Sequence, residues 1–293
     1  LVEFLSTVEY NFLRIVENLK NNGGLVLQIF EKKNRVLLRE LVKTDFKLRY
    51  QGSLMGYVWS VLKPLMLFAV MYVVFVRFLK FGADVPHFSV ALLLGTVLWG
   101  FFNETTNLSM SSIVSRGDLI RKLNFPKQII VISISLNAMI NLLISLMIVI
   151  LFGIINDVNI SIFAFLAPLL LLELYIFSLG ISFILATIYV RFRDIGPIWE
   201  VVLQVLMYMT PMIYPVSLVI NYSTKIAKIL MLNPLAQIMQ DLRYLLVSDK
   251  NITVWMLISN HFIVLIPYIL SIATLLLGYA MFTKNSNKFA EMI

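Results

Sequence analysis

FSVALLLGTVLWGFFNETTNLSMSSIVSRGDLIRKLNFPKQIIVISISLNAMINLLISLMIVILFGII (residues 88–155) is the stretch on which the fold turns. Residues 88–112 carry a single acid, Glu104, and residues 128–155 carry no charge. A bilayer core about 30 Å thick is crossed by roughly 20 apolar residues at about 1.5 Å each, so both stretches are long enough to span. Between them SRGDLIRKLNFPKQ (115–128) holds four basic side chains, one acid, a Gly and a Pro. The chain crosses, turns on a charged side, and crosses back.

Four further stretches qualify by the same test, at about 54–79, 161–190, 197–219 and 252–282. The expected fold is all-α: a polytopic membrane protein with six transmembrane helices. Composition agrees, at 60% hydrophobic and 14% charged residues with mean hydropathy +0.89, against about 45–50% and about 25% for soluble domains. With no Cys, disulfides, thiolate catalysis and Cys-type metal sites are excluded. The net charge of +8 is unevenly placed. Of 24 Lys and Arg, 17 fall in residues 1–50, 113–127, 191–196 and the segment from 283, all on one side of a six-span weave. The positive-inside rule puts that side, and both termini, in the cytoplasm. The basic surplus therefore reads as topology and contact with anionic lipid, with no nucleic-acid partner expected.

Residues 1–20 read as a modestly amphipathic helix closed by NNGG (21–24). They do not resemble a cleavable signal peptide, so the first span is expected to act as the insertion signal. EKKNRVLLRELVKTDFKLRY (31–50) is a basic amphipathic helix: Leu37, Leu38, Leu41, Val42, Phe46 and Leu48 share one half, with Lys32, Arg39, Glu40, Lys43 and Lys47 opposite. Before a span such a helix lies in the headgroup plane or packs on a protein partner. Asp45 and Arg49 interrupt the apolar half and are spaced to pair with each other, which points that end at protein. GSLMG (52–56) is a weak small-residue contact motif. RFRDIGP (191–197) is a tight turn whose Asp194 and Pro197 suit a helix start.

TKIAKILMLNPLAQIMQDLRYLLVSDK (224–250) has two apolar pieces, each too short to span, around Asn233-Pro234. It reads either as a re-entrant helical hairpin forming an outer gate or as a plain extracellular loop. It follows YMTPMIYP, where Pro211 and Pro215 should break the outer end of the fifth span. The ionisable residues expected deep in the membrane are Lys63, Glu104 and Glu173, with Glu200 near enough to an end to reach water. Lys63 and Glu104 fall at matching depth on consecutive spans and are expected to pair.

No GxxxxGK[ST] occurs, and no Gly-Lys dipeptide at all, so no nucleotide cradle of that type is present. His87 and His261 stand alone, and neither a catalytic nor a metal-binding set is expected. Asp118 to Leu123 should form a short helix with Leu119, Ile120 and Leu123 on an apolar side and Arg116, Arg121 and Lys122 as a basic rim. Such a knob suits docking on a protein partner; an ordinary positive-inside loop accounts for the charges but not for the three apolar side chains.

The stretches DFKLRYQGSLMGYVW (45–59), LLGTVLWGFFNETT (93–106), RGDLIRKLNFPKQ (116–128), YVRFRDIG (189–196), YMTPMIYP (208–215), NPLAQIMQDLR (233–243) and NKFAEM (287–292) together resemble the membrane subunits of ABC-2 type exporters for lipid-linked O-antigens, capsule-like polysaccharides and teichoic acids. They occur in the family's order over about 30–290. The resemblance implies a bacterial plasma-membrane permease in which a second copy completes a channel and two separate ATP-binding cassette subunits bind below. ATP and Mg would sit on those partners, with no cofactor in this chain. It further implies that 116–126 is the coupling helix, with Arg116, Asp118, Leu119, Ile120, Arg121, Lys122 and Leu123 at the ATPase, and that Asn233 and Pro234 belong to the outer gate. Channel-lining aromatics would come from Tyr57, Trp59, Trp99, Phe101, Phe102, Tyr208 and Tyr214. Three parts are then expected: a cytoplasmic extension and interface helix (1–50), the transmembrane domain (51–282) and a cytoplasmic tail (283–293). An ABC-2 exporter of drugs or small lipids shares the architecture. A polyprenyl-lipid enzyme is a different class and would need more charged groups outside than Asp241, Arg243 and Asp249. A cation-coupled carrier is disfavoured by the few deep charges and by no visible inverted repeat.

Overall fold

A computed structural model describes residues 31–50, 56, 58–82, 85–158 and 161–292, and these are almost entirely helical. The expectations for residues 1–20, for NNGG, for the first four residues of GSLMG and for Tyr57 lie outside the described residues. The elements are α1 (Lys32–Tyr50), α2 (Val58–Met71, running on as a π-helical segment Tyr72–Phe78), α3 (Phe88–Ser115), α4 (Gly117–Lys122), α5 (Gln128–Ile155), α6 (Ala167–Arg191, entered through a 3₁₀ turn at Ile162–Leu166), α7 (Ile195–Met209), α8 (Val216–Tyr222), α9 (Thr224–Met231), α10 (Pro234–Leu246), α11 (Val254–Leu257), α12 (His261–Val264), α13 (Ile266–Ser286) and α14 (Phe289–Met292).

Among the described residues five segments are long and apolar enough to cross a membrane: Val61–Phe78, Phe88–Ser115, Gln128–Ile155, Ile162–Arg191 and His261–Ser286. Two expectations are corrected. The proposed span at 197–219 is a 15-residue helix, Ile195–Met209, about 22 Å long at about 1.5 Å per residue. It stops at Thr210, ahead of Pro211 and Pro215, neither of which can donate to the hydrogen-bond ladder. The last span begins at His261 rather than at 252, because the chain is extended at Ile258 and Asn260 between α11 and α12.

α3 is the hub. It is the most buried of the five long helices and packs against α5 and α6, with α2, α7 and α10 also on it. α6 in turn packs closely on α13, where Gly180 and Gly278 face each other. A Cβ built on Gly180 would lie 2.5 Å from the Leu275 backbone nitrogen, and one on Gly278 would strike the Gly180 carbonyl. Small residues let helices approach this closely where apolar burial gives little drive. α2 is peripheral, its apolar window hardly covered by the chain itself.

At the α4 end, Ile113, Ile120, Phe125, Ile129, Phe183, Phe282 and Phe289 form one apolar cluster, and Leu37, Leu38 and Leu41 of α1 pack against it. The apolar half of α1 therefore faces protein. The segment after α13 joins the same cluster: Phe289 is buried against Phe282, with ring centroids 5.1 Å apart.

Candidate functional site: a charged collar and a seated helix pair

The six residues of α4 carry Asp118 in the first turn and Arg121 and Lys122 in the last, each sign at the helix end that favours it. Asp118, Arg121, Lys122 and Leu123 are exposed and Leu119 is half-buried. The expected apolar side is divided, because Ile120 turns inward and is only 5% exposed within the cluster above. The surface left open at this end is thus Leu123 rimmed by charge.

Arg116 does not join that rim. Its Nη2 donates to Asp45 Oδ2 of α1 at 2.5 Å, and Nη1 to Ser133 Oγ of α5 at 3.2 Å. One turn further along α1, Arg49 forms an ion pair with Glu104 of α3, whose Oε1 also accepts from Asn141 Nδ2 at 2.9 Å. These bonds make a collar joining α1, α3, α5 and the start of α4, beside a cavity of about 240 Å³ lined by Asp45, Leu48, Arg49, Leu108, Ser111, Ser115, Arg116, Ile134 and Asn137. Two expectations are overturned. Asp45 and Arg49 reach across to other helices rather than pairing with each other. Lys63 does not meet Glu104: it is exposed on peripheral α2 and has no ion pair among the described residues, while α1 brings Arg49 to Glu104 first.

The opposite end is built around the break after α7. Within 224–250 the chain forms two helices, α9 and α10. Asn233 caps α10, its Oδ1 accepting from the Leu235 N–H at 3.1 Å with Pro234 in the first turn, and its Nδ2 donates to Thr210 Oγ1 at 3.4 Å. α10 is buried along nearly its whole length against α6, α3 and α13. Gln240 Nε2 donates to the Pro211 carbonyl at 3.3 Å. Arg243, 1% exposed, donates from Nε to Ala91 O at 3.1 Å, from Nη1 to Pro211 O at 2.7 Å and from Nη2 to Met212 O at 2.5 Å. A planar fork of donors suits carbonyls that a broken helix leaves unpaired.

Arg243, Gln240, Gln237 and Asp241 were not singled out as a group by sequence reasoning. The available signal was that four polar side chains within seven residues of NPLAQIMQDLR leave α10 no polar-free face to bury. Glu173 of α6 is half-buried next to this helix, accepting from Ser271 Oγ at 3.3 Å and from Gln237 Nε2 at 3.5 Å.

The aromatic candidates divide. Trp99, Phe101 and Phe102 are buried in the chain's own core, with Phe102 stacked on Phe177 at 5.8 Å and 11°; α3 is a central helix, and these rings are its packing. Trp59 and Tyr208 are exposed. Tyr214 is half-buried, its hydroxyl donating to the Tyr208 carbonyl at 2.8 Å.

Residues 36–247 match the family model described as ABC-2 type transporter. Curated relatives include the O-antigen export system permease protein RfbA of Klebsiella pneumoniae, 27% identical over 88% of this chain and 95% of the relative. The protein of the same name from Myxococcus xanthus is 29% identical over 73% of this chain and 81% of the relative. With the family model covering most of a multi-pass helical chain, the protein belongs to the ABC-2 type transporter family.

Proposed function

We propose that this chain is the permease subunit of an ATP-driven exporter that moves a lipid-linked polysaccharide, or a teichoic-acid-like polymer, outward across the bacterial plasma membrane. Two copies form the pathway, and two separate ATP-binding subunits, which carry the ATP and Mg, dock at the α4 end with both termini on their side. The observation that carries this reading is the near full-length similarity to permeases named for O-antigen export. The collar supports it by giving a push on α4 somewhere to go. Arg116 begins α4 and grips α1 and α5, and α1 grips α3 through Arg49 and Glu104. At the far end, α10 ties the unwound Thr210–Pro215 segment to α3, which suits an outer gate that moves with the central helix. Among the described residues, Trp59, Tyr208 and Tyr214 are the candidate aromatics left to slide along sugar faces.

The test is genetic. In cells lacking this chain the polymer should be synthesised but retained inside, and a plasmid copy should restore surface glycan only beside an ATPase able to hydrolyse ATP. Normal surface glycan in the deletion strain would contradict the reading.

A further inference from the structure

Glu173 of α6 and Asp241 of α10 come together at the seat of the hairpin without a basic partner. Asp241 Oδ2 accepts from Gln237 Nε2 at 2.7 Å and from the Tyr268 hydroxyl of α13 at 2.9 Å. The same Gln237 nitrogen reaches Glu173 Oε2, and Tyr268 accepts from Trp255 Nε1 at 3.0 Å. Among the described residues no Lys, Arg or His forms an ion pair with either acid. Arg243 of the same helix donates instead to Ala91, Pro211 and Met212. Lys225 and Lys228 of α9 and Glu104 of α3 make no bond to either acid, and α11 carries no titratable group.

Two acceptors here are buried and unbonded: Asp241 Oδ1 and Gln237 Oε1. Asp241 is 8% exposed and Gln237 fully buried. The two atoms belong to groups already joined through their other ends, one helical turn apart on α10. Orphan buried acceptors are costly, and an unpaired buried carboxylate beside another carboxylate is more so.

We propose that this is a proton-binding site, in which Asp241 is held as the neutral acid with its Oδ1 hydrogen donated to Gln237 Oε1. One proton satisfies both orphan acceptors, closes a two-bond acid–amide pair, and removes one of two neighbouring negative charges. The proton then seals α10 onto α6 and α13. Its loss sets two oxygens against each other and two charges side by side, loosening the hairpin. A folded state that holds this proton beyond the usual carboxylate range loses stability as pH rises through that range and above it.

The test is thermal unfolding of the purified full chain in nanodiscs against pH, which does not depend on the exporter reading. Asp241→Asn copies the neutral acid, its amide donating to Gln237 Oε1 and its carbonyl accepting from Gln237 and Tyr268. At acidic pH the variant should match the wild type. As pH rises the wild type should fall below it by about 3 °C per pH unit until Asp241 ionises. Asp241→Ala should be less stable at every pH. An infrared band of a protonated carboxyl should be present in the wild type at neutral pH, weaker in Asp241→Asn by one carboxyl and insensitive to chelator. Equal pH slopes in wild type and Asp241→Asn, or no such band, would overturn the proposal. So would stabilisation of the wild type alone by Na⁺, Mg²⁺ or Ca²⁺, which would make the occupant a metal cation.

Discussion

At the scale of single residues, the ion pairs of the collar and the guanidinium of Arg243 do different jobs. Asp45–Arg116 and Arg49–Glu104 are about a quarter exposed, so each stabilises less than a dry pair and its loss should cost about 1–2 kcal/mol. Their value lies in position. Asp45→Arg with Arg116→Asp should recover much of the ATP-dependent export lost in either single variant, whereas two independently acting residues would give additive losses. Arg243 has no such latitude. Arg243→Lys keeps the charge but loses the fork, and each carbonyl left unpaired should cost about 1–3 kcal/mol, read as a lower thermal midpoint. These partners were only partly legible. Spacing gave Asp45 and Arg49 as an i,i+4 pair and depth gave Lys63 as the partner of Glu104. Both readings assumed neighbours in sequence, while the structure brings α1 across three other helices, a contact that neither periodicity nor depth encodes.

At the scale of elements, hydropathy located α3, α5 and α6 to within a few residues, because a long uncharged run in a helix-forming chain has one solution in a bilayer. It failed where proline intervenes. Residues 197–219 have the hydropathy of a span, yet α7 stops at Met209 and the next carbonyls are taken by Arg243 and Gln240. Because those side chains hold the break, Pro211→Ala with Pro215→Ala should not restore a continuous helix. A single Cys at position 212 should stay unlabelled by an impermeant thiol reagent in both backgrounds, since Met212 is fully buried; labelling that appears only with the prolines replaced would show that they alone set the break. The α6–α13 crossing was not foreseen from sequence, since neither glycine lies in a GxxxG motif. Gly180→Val or Gly278→Val should force the backbones apart at a cost of about 1–3 kcal/mol or more, with Ala intermediate, measured as the fraction still monodisperse after heating in detergent.

At the scale of the whole molecule, the all-helical membrane class and the family could be read from composition, run length and motif order. What could not be read is which face of each element the chain uses on itself. Ile120, Trp99, Phe101 and Phe102 look like surface groups in a linear motif, but packing consumes them. That leaves Leu123, with Asp118, Arg121 and Lys122 of α4, as the exposed surface at this end. In the proposed function an ATPase drives export through this segment, and reconstituted transport reads that coupling without the rest of the cell. Proteoliposomes containing the permease and its ATPase, loaded with labelled lipid-linked glycan, should show ATP-dependent movement of glycan across the bilayer. Leu123→Asp should abolish that movement while the permease keeps its thermal midpoint. Undiminished transport by Leu123→Asp, or glycan movement by the wild type without ATP hydrolysis, would contradict it.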